Sequence, residues 1–306
     1  MALYINNTKV EINHFPDGTQ LLSGIFTPCE IYSNGEPIIR FIWIYEKEEE
    51  LITLYYLKRH VDTHYPNIVK YLGMPYIPNA RMDRVHDSND VFTLKWFAEI
   101  INSLKFDKVI VSDPHSNVSM ALIDNAFDSC DVSRMLDNVL ISISFGIWGN
   151  SNHINDIVLY FPDDGAYKRY SGLEIFKKRD VSKNIVIGHK ERDWNTGTIT
   201  GLKINWLDGS SVNSDETKCR PVLMVDDIIS YGGTMAYSAD ELKRVGFGDI
   251  FAMATHIEAS ILNEEKGTLL KRVNDGVVKK VYGNYFIGGE YNDEYSPWLN
   301  ILKKMD

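Results

Sequence analysis

Two adjacent carboxylates and a glycine-rich turn follow one strongly apolar run in this 306-residue chain. Residues 222–225, Val-Leu-Met-Val, predict a strand that is buried on both faces of a parallel sheet. Asp226 and Asp227 come where that strand would end, and residues 230–234, Ser-Tyr-Gly-Gly-Thr, precede a helical pattern. Paired carboxylates suit a sugar diol or, through it, a metal, and a glycine-rich turn at a helix N-terminus suits an anion. The stretch therefore predicts a site for a phosphorylated sugar, and the alternative is an ordinary strand–turn–helix corner.

Charged side chains also follow four other predicted strands, over residues 69–74, 108–112, 156–161 and 184–188. In an open α/β sheet, ligands bind at the carboxyl ends of the strands, so these loops are candidates for the same kind of site. Each has a structural alternative: a loop with its own ion pairs, a hydrogen-bonded histidine, or a solvated hairpin face. The candidate residues are Arg81, Asp83, His115, Asp163, Lys190 and Arg192.

Strand and helix patterns alternate along the chain in two successive blocks. This order predicts an α/β protein with two doubly wound domains, residues 1–147 and 148–306, each with a mainly parallel sheet. The Asp-Gly turn within residues 15–19 predicts a β-hairpin near the start of the chain. We also expect a strand over residues 139–145 and an extra hairpin over residues 203–220.

The composition excludes several classes of protein. The net charge is −10, and a chain without basic runs argues against nucleic-acid binding. The three cysteines form no Cys-x-x-Cys pair, so we expect neither a zinc site nor a disulfide framework. We expect the reducing cytoplasm to be the compartment. No apolar run approaches the length of a membrane span, and we see no signal peptide. An acidic protein that handles phosphates must concentrate positive charge locally or recruit Mg²⁺.

Six segments, in order between about residues 13 and 256, resemble the motifs of one family, the ribose-phosphate pyrophosphokinases or PRPP synthetases. The central stretch resembles that family's Val-Asp-Asp-x-x-Asp-Thr-Gly-Gly-Thr motif, and Phe15-Pro-Asp-Gly-Thr is similar to Phe-Ser-Asp-Gly-Glu. The other four similar segments are Tyr76 to Arg84, Asp113-Pro-His115, Pro162 to Arg169, and His189-Lys-Glu-Arg192.

The resemblance implies two tandem phosphoribosyltransferase-type domains and a Mg²⁺-dependent transfer of the diphosphoryl group of ATP. The acceptor would be the 1-hydroxyl of a ribose 5-phosphate unit, and the products AMP and a 1-diphosphate. By resemblance, ATP would be bound by Phe15, Asp17, Arg81, Asp83 and His115, the first two across a subunit boundary of a homo-oligomer of at least two chains. His115 and Asp163 would lie beside Mg²⁺, and Lys190 and Arg192 would act with His115 in catalysis. The acceptor would contact Asp226, Asp227, Ser230, Tyr231, Gly232, Gly233 and Thr234.

Several departures from the family pattern bear on the substrate. Less chain precedes the Phe-x-Asp-Gly motif than in the family, and Thr19 and Met82 replace its Glu and Gln. In the phosphate loop, Ser230 and Tyr231 replace Asp-Thr. An aromatic ring there suits an acceptor with a group beyond its 5-phosphate, such as ADP-ribose, which a phage or bacterial branch of the family would convert to ADP-ribose 1-diphosphate for rebuilding NAD. The family default is ribose 5-phosphate, which gives PRPP.

Two further alternatives come from other classes of protein. A non-catalytic regulatory homologue would keep the fold and lose the catalytic loop, whereas Lys190 and Arg192 are present. A phosphoribosyltransferase, which consumes a 1-diphosphate, would need one such domain and no ATP loops.

Overall fold

The computed structural model describes residues 2–6, 8–23, 32–33, 36–85, 87–178, 184–192, 199–287 and 299–302. The chain divides into two compact units, Met1–Cys130 with Ile287–Asp293, and Asp131–Phe286 with Glu294–Asp306. The division therefore falls before a helix at Val132–Trp148, whereas the domain boundary expected from the sequence falls at the end of that helix. Among the helices that the structure describes, none has the length and apolar character needed to cross a membrane.

The first unit is built on a seven-stranded sheet with the order β2-β1-β6-β7-β8-β9, and β5 pairs with β6 beside this path. Strands β6 to β9 pair in parallel, and β1, β2 and β5 are antiparallel to their neighbours. A separate antiparallel hairpin, β3–β4, encloses residues 15–19 and confirms the predicted hairpin. The strands are β1 Ala2–Ile5, β2 Thr8–Lys9, β3 Glu11–His14, β4 Gln20–Ser23, β5 Tyr32–Ser33, β6 Glu36–Ile44, β7 Val69–Gly73, β8 Lys108–Val111 and β9 Ala126–Asp128.

Three helices of this unit, α1 Glu50–His64, α2 Thr93–Ser103 and α3 Asn117–Leu122, connect its strands. Helix α2 buries Leu94, Phe97, Ala98 and Ile101, whose spacing places them on one face of a helix. These side chains join the apolar core with residues of the sheet such as Phe41, Trp43 and Leu72. The parallel strands are therefore covered by helices, which leaves their carboxyl ends and the following loops as the place for polar chemistry.

The second unit has a seven-stranded sheet with the order β12-β11-β10-β13-β14-β15-β16. Strands β11, β10, β13 and β14 run parallel, while β12 and β16 are antiparallel to β11 and β15. Residues 222–225 are almost completely buried in β13, as their apolar run predicts. The strands are β10 Val158–Phe161, β11 Ile185–Arg192, β12 Ile199–Trp206, β13 Val222–Ile229, β14 Ile250–Glu258, β15 Val278–Ile287 and β16 Leu299–Leu302.

The helices described in this unit are α4 Val132–Trp148, α5 Asp164–Tyr170, α6 Glu174–Lys178, α7 Ser214–Thr217, α8 Gly233–Arg244 and α9 Thr268–Asn274. Helix α8 packs through Met235, Ala239 and Leu242 into the core of the unit, which Leu269 and Val273 of α9 also enter. The two helices are tied further by Arg272, whose guanidinium donates to both oxygens of Asp240 at 2.7 Å. Helix α9 is thus held against α8, the helix that begins at the glycine-rich turn.

Two expectations about the fold are wrong. Residues 139–145 are helical within α4, where Val139, Leu140 and Ile143 are buried at helical spacing. Residues 203–220 do not form an extra hairpin, because β12 ends at Trp206 and a turn and the short helix α7 follow. The partner of β12 is β11, and beyond the turn only Asn205 and Ser211 form an isolated bridge among the described residues.

Candidate active site

The carboxylate pair lies at the carboxyl end of β13, between β10 and β14. The side chain of Asp226 accepts a hydrogen bond of 2.9 Å from the backbone N–H of Asp227. The Asp227 carboxylate is buried, and one of its oxygens lies 3.5 Å from Nη1 of Arg169 on α5. The two neighbouring carboxylates therefore have different surroundings: Asp227 has a cation beside it, and Asp226 is bonded to the backbone.

This difference extends to protonation. Burial raises the pKa of Asp226 well above the ordinary aspartate value of 3.8, and the charges of Asp227 and Asp163 raise it further. Asp226 therefore keeps its proton to higher pH than an ordinary aspartate. A protonated carboxyl donates a hydrogen bond and a carboxylate accepts several, so the pair can meet hydroxyl groups in both ways.

Asp163 follows the neighbouring strand β10 and caps helix α5, because its side chain accepts a 3.0 Å hydrogen bond from the N–H of Ala166. The same helix carries Arg169 toward Asp227. The pairing of β10 with β13 thus brings together three predicted site residues, Asp163, Asp226 and Asp227. Arg169 is not among the candidate residues named from the sequence, although it is the last residue of the segment Pro162 to Arg169 that resembles a motif of the family.

The glycine-rich turn after β13 has a backbone conformation that favours glycine. Gly232 has φ 78° and ψ 21° and forms the N-cap of α8. A Cβ atom at this position would also collide with Leu269 of α9. The carbonyl of Tyr231 accepts hydrogen bonds from Oγ1 of Thr268 at 3.1 Å and from the N–H of Leu269 at 3.3 Å. The start of α9 therefore fastens the turn.

The turn leads directly into the first turn of α8, whose N–H groups have no partner within the helix. Together with the helix dipole, these groups favour an anion at this position. The Tyr231 side chain is 41% exposed beside this N-terminus. The structure therefore combines a potential anion site and an exposed aromatic ring with the carboxylate pair of the same strand.

Lys190 and Arg192 lie at the end of β11, which pairs with β12 in an antiparallel hairpin. Their backbone registers with Leu202 and Ile199, and the pairing shifts between Glu191 and Arg192. The side chains of both residues lie outside the described part of the structure. Their catalytic role remains a prediction.

In the first unit, Asp83 and His115 follow the adjacent parallel strands β7 and β8. The Arg84 guanidinium donates to both oxygens of Asp83, at 2.9 and 3.3 Å. Hydrogen bonding to Arg84 lowers the pKa of Asp83, and the Ser116 hydroxyl and His115 act in the same direction, against the effect of burial. The loops thus place Asp83 near His115. Arg84, which pairs with Asp83, is not among the candidate residues named from the sequence.

The turn that carries His115 is fixed by the end of the next strand. Asp113 has a left-handed backbone, φ 44°, and its N–H donates to the side chain of Asp128 at 3.0 Å. The same oxygen of Asp128 accepts from the N–H of Cys130 at 2.9 Å. Asp128 therefore positions the Asp113-Pro-His115 turn at the carboxyl edge of the sheet.

Phe15 and Asp17 lie in the turn of the β3–β4 hairpin, where the Phe15 ring is 49% exposed. The Asp17 side chain accepts from the Thr19 hydroxyl at 2.7 Å and from the Thr19 N–H at 2.9 Å. These bonds, the hydroxyl first, lower the pKa of Asp17. Asp17 therefore has a structural role in its own turn, and the ATP contacts of Phe15, Asp17 and the exposed Arg81 remain predictions.

A magnesium ion fits the oxygen ligands of the second unit. No three His, Cys, Asp or Glu side chains converge as a metal cage in the part of the chain that the structure describes. Mg²⁺ is usually held by one or two carboxylates, substrate phosphates and water, so Asp163 after β10 and Asp226 in the paired strand β13 meet its needs without such a cage. The predicted partner His115 belongs to the first unit and Asp163 to the second, so their pairing remains a prediction.

No protein-family model matches the chain. The ribose-phosphate pyrophosphokinase of Campylobacter jejuni is 26% identical over 208 residues, which cover 68% of this chain and 58% of that protein. A second relative, ribose-phosphate pyrophosphokinase 2 of Enterococcus faecalis, is covered to 56%, so the chain spans little more than half the length of these two proteins. The ribose-phosphate pyrophosphokinase of Listeria ivanovii is 24% identical over 278 residues, covering 89% of this chain and 76% of that protein.

Among solved structures, the phosphoribosylpyrophosphate synthetase from Mycobacterium smegmatis matches with a TM-score of 0.61 and 16% identity, over 90% of this chain and 79% of that one. The fold is therefore α/β and similar to that of the Mycobacterium smegmatis protein. The sequence comparison is more specific: the chain is similar to the ribose-phosphate pyrophosphokinases over most of its length. Both the predicted fold class and the resemblance stated from the motifs are confirmed.

Proposed function

We propose that this chain is a Mg²⁺-dependent pyrophosphokinase that transfers the diphosphoryl group of ATP to the 1-hydroxyl of a ribose 5-phosphate unit. The observation that carries the proposal is the Asp226–Asp227 pair at the end of β13, followed at once by the glycine turn into α8. In the reaction, the 1-hydroxyl oxygen bonds to the β-phosphorus of ATP. The bond from that phosphorus to the oxygen shared with the α-phosphate breaks, AMP leaves, and the hydroxyl proton is released.

The acceptor site follows from the contacts of the second unit. Asp226 and Asp227 bind the neighbouring ribose hydroxyls, and Arg169 keeps the Asp227 carboxylate in place from α5. Residues 230–234 and the N-terminus of α8 bind the 5-phosphate, because free N–H groups and the helix dipole favour an anion there. This arrangement leaves the 1-hydroxyl as the reacting group of the sugar.

The remaining parts of the proposal concern ATP and charge. Phosphoryl transfer depends mainly on positioning and on stabilising charge, which we assign to Lys190 and Arg192 at the end of β11. Asp163 and His115 would hold Mg²⁺, which would neutralise charge on the ATP phosphates. Phe15, Asp17, Arg81, Asp83 and His115 bind ATP, within a homo-oligomer of at least two chains.

A second candidate acceptor is ADP-ribose, which would give ADP-ribose 1-diphosphate. The exposed Tyr231 ring beside the N-terminus of α8 favours this candidate, since an aromatic ring can stack on a group attached beyond the phosphate. A small hydroxyl residue at this position would suit a terminal phosphate instead. Ribose 5-phosphate and ADP-ribose thus share one reaction and one site, and differ in what lies next to Tyr231.

The proposal is tested by AMP formation from MgATP with ribose 5-phosphate and with ADP-ribose in parallel assays. We expect AMP release that depends on an acceptor, and the ratio of the two kcat/KM values identifies which acceptor is preferred. No AMP with either acceptor would contradict the proposal and favour a non-catalytic homologue. Diphosphate release from a 1-diphosphate on addition of a base would favour a phosphoribosyltransferase.

A further inference from the structure

Two histidines share one exposed face near the end of α1. His60 and His64 are four residues apart, the spacing that brings side chains together on a helix. Their ring centroids are 4.2 Å apart, with 36° between the ring planes, and both residues are exposed. The residues between them on the inner side, such as Val61, are buried in the core. The helix therefore holds the two imidazoles side by side in solvent.

One hydrogen bond fixes the proton position on His64. Its Nδ1 lies 2.9 Å from the backbone carbonyl oxygen of His60, and a carbonyl only accepts, so Nδ1 carries the proton. In the neutral ring the lone pair then lies on Nε2. Histidines that bind metals use this arrangement, in which one nitrogen donates to a carbonyl and the other binds the ion.

The surroundings of the pair also favour a cation. The pair lies in the last two turns of α1, where the negative end of the helix dipole attracts positive charge. The nearby Asp62 does not supply a third ligand, because Nζ of Lys58 lies 2.7 and 2.8 Å from its two oxygens. Since no group of three metal-binding side chains occurs among the residues that the structure describes, water would complete the coordination.

We propose that His60 and His64 form a two-histidine site for a divalent transition-metal ion of the copper, nickel and zinc class. Imidazole nitrogen suits these ions, whereas Mg²⁺ prefers oxygen ligands. The site should therefore bind a different class of ion from the Mg²⁺ of the proposed reaction. The inference rests on α1 alone and does not depend on the proposed function.

The test is calorimetric titration of the untagged full chain with NiCl₂. The variants are His60→Gln and His64→Gln, and the control is His14→Gln, which replaces an exposed histidine on β3. Because two ligands on one helix act as a chelate, we expect either α1 variant to weaken Ni²⁺ binding roughly 100-fold. The His14→Gln control should bind as the wild type does.

A spectroscopic measurement locates the ion independently. Paramagnetic Cu²⁺ should broaden the imidazole NMR signals of His60 and His64 before those of the other histidines. Both substitutions are on the surface, so the metal-free variants should retain the circular dichroism and the unfolding temperature of the wild type. Equal Ni²⁺ affinity in the wild type and both α1 variants, or no binding to the wild type, would overturn the proposal.

Discussion

At the scale of single residues, the two carboxylates of β13 are chemically unequal although they are adjacent in the sequence. Arg169 lies beside Asp227, whereas burial and the neighbouring carboxylates raise the pKa of Asp226. The doubled Asp could be found in the sequence because it follows an apolar run. The difference between the two carboxylates could not be found there, because Arg169 reaches Asp227 from helix α5 and burial depends on the whole sheet.

Replacing Asp226 by Asn should weaken the binding of the acceptor more than the binding of ATP. The amide keeps the shape of the side chain and loses an oxygen that a sugar hydroxyl would contact, so we expect the acceptor KM to rise about tenfold or more. The KM for ATP should change little. Steady-state kinetics with each substrate varied in turn measures both values, and equal losses for the two substrates would remove Asp226 from the acceptor site.

The same substitution should stabilise the fold at neutral pH. The pKa of Asp226 is higher in the folded chain than the ordinary value of 3.8. Its contribution to the free energy of unfolding is therefore fully present below pH 3.8 and is lost as the pH rises through the folded-state pKa. Asn does not ionise, so Asp226→Asn should unfold at a higher temperature than the wild type at pH 7. The difference should shrink as the pH falls toward 3.8. A variant that is less stable than the wild type at neutral pH would contradict the raised pKa.

Tyr231→Thr tests the role of the aromatic ring in acceptor choice. If the ring stacks on the group beyond the phosphate, its loss should shift the kcat/KM ratio toward ribose 5-phosphate by about tenfold, since stacking contributes on the order of 1 kcal/mol or more. The ratio is measured with both acceptors on the wild type and the variant. An unchanged ratio would show that Tyr231 does not select the acceptor.

At the scale of elements, the sequence predicts a helix or a strand correctly where the spacing of apolar residues fits only one of the two. The amphipathic spacing in α2 has one interpretation, and the helix is present as expected. The short apolar strand predicted over residues 108–112 is also present, as β8. The apolar run at 139–145 fits a buried strand or a helix equally well, and the structure makes it part of α4. There the side chain of Asp131 caps the helix by accepting from the N–H of Arg134, and Gly149 ends it with φ 73°.

Gly232, at the start of α8, packs closely against Leu269 of α9, which is distant in the sequence. Gly232→Ala should destabilise the chain in two ways: the left-handed backbone costs about 1–2 kcal/mol, and the collision with Leu269 adds roughly 1–3 kcal/mol. Urea unfolding measures the sum, and the acceptor KM should rise because the turn is displaced.

A matched control separates the two contributions. Gly209 has φ 87° in an exposed turn, and a Cβ there would meet no atom within 4 Å. Gly209→Ala should therefore lose only the backbone contribution to the free energy of unfolding. Equal losses for the two variants would contradict the contact between Gly232 and Leu269.

At the scale of the whole molecule, each of the two compact units carries some of the predicted site residues. Asp83 and His115 belong to the first unit, and Asp163, Asp226 and Asp227 to the second. The order of strands and helices and the motifs predict this division of roles. The contact of Arg169 with Asp227 could not be predicted, because it depends on which elements adjoin after folding. The ion pair of Asp83 with the next residue, Arg84, is of the kind that the structural alternative for this loop predicts. With a net charge of −10, a chain that binds ATP must rely on such local cations and on Mg²⁺.

Transfer of a diphosphoryl group in one piece determines the products, which ³¹P NMR identifies. With MgATP and the preferred acceptor, we predict equal amounts of AMP and a sugar 1-diphosphate. Lys190→Ala should lower their rate of formation by roughly 10²–10³-fold, because it removes charge stabilisation of the transferring group. Formation of ADP with a sugar 1-phosphate, or of AMP without a sugar 1-diphosphate, would contradict diphosphoryl transfer by this chain.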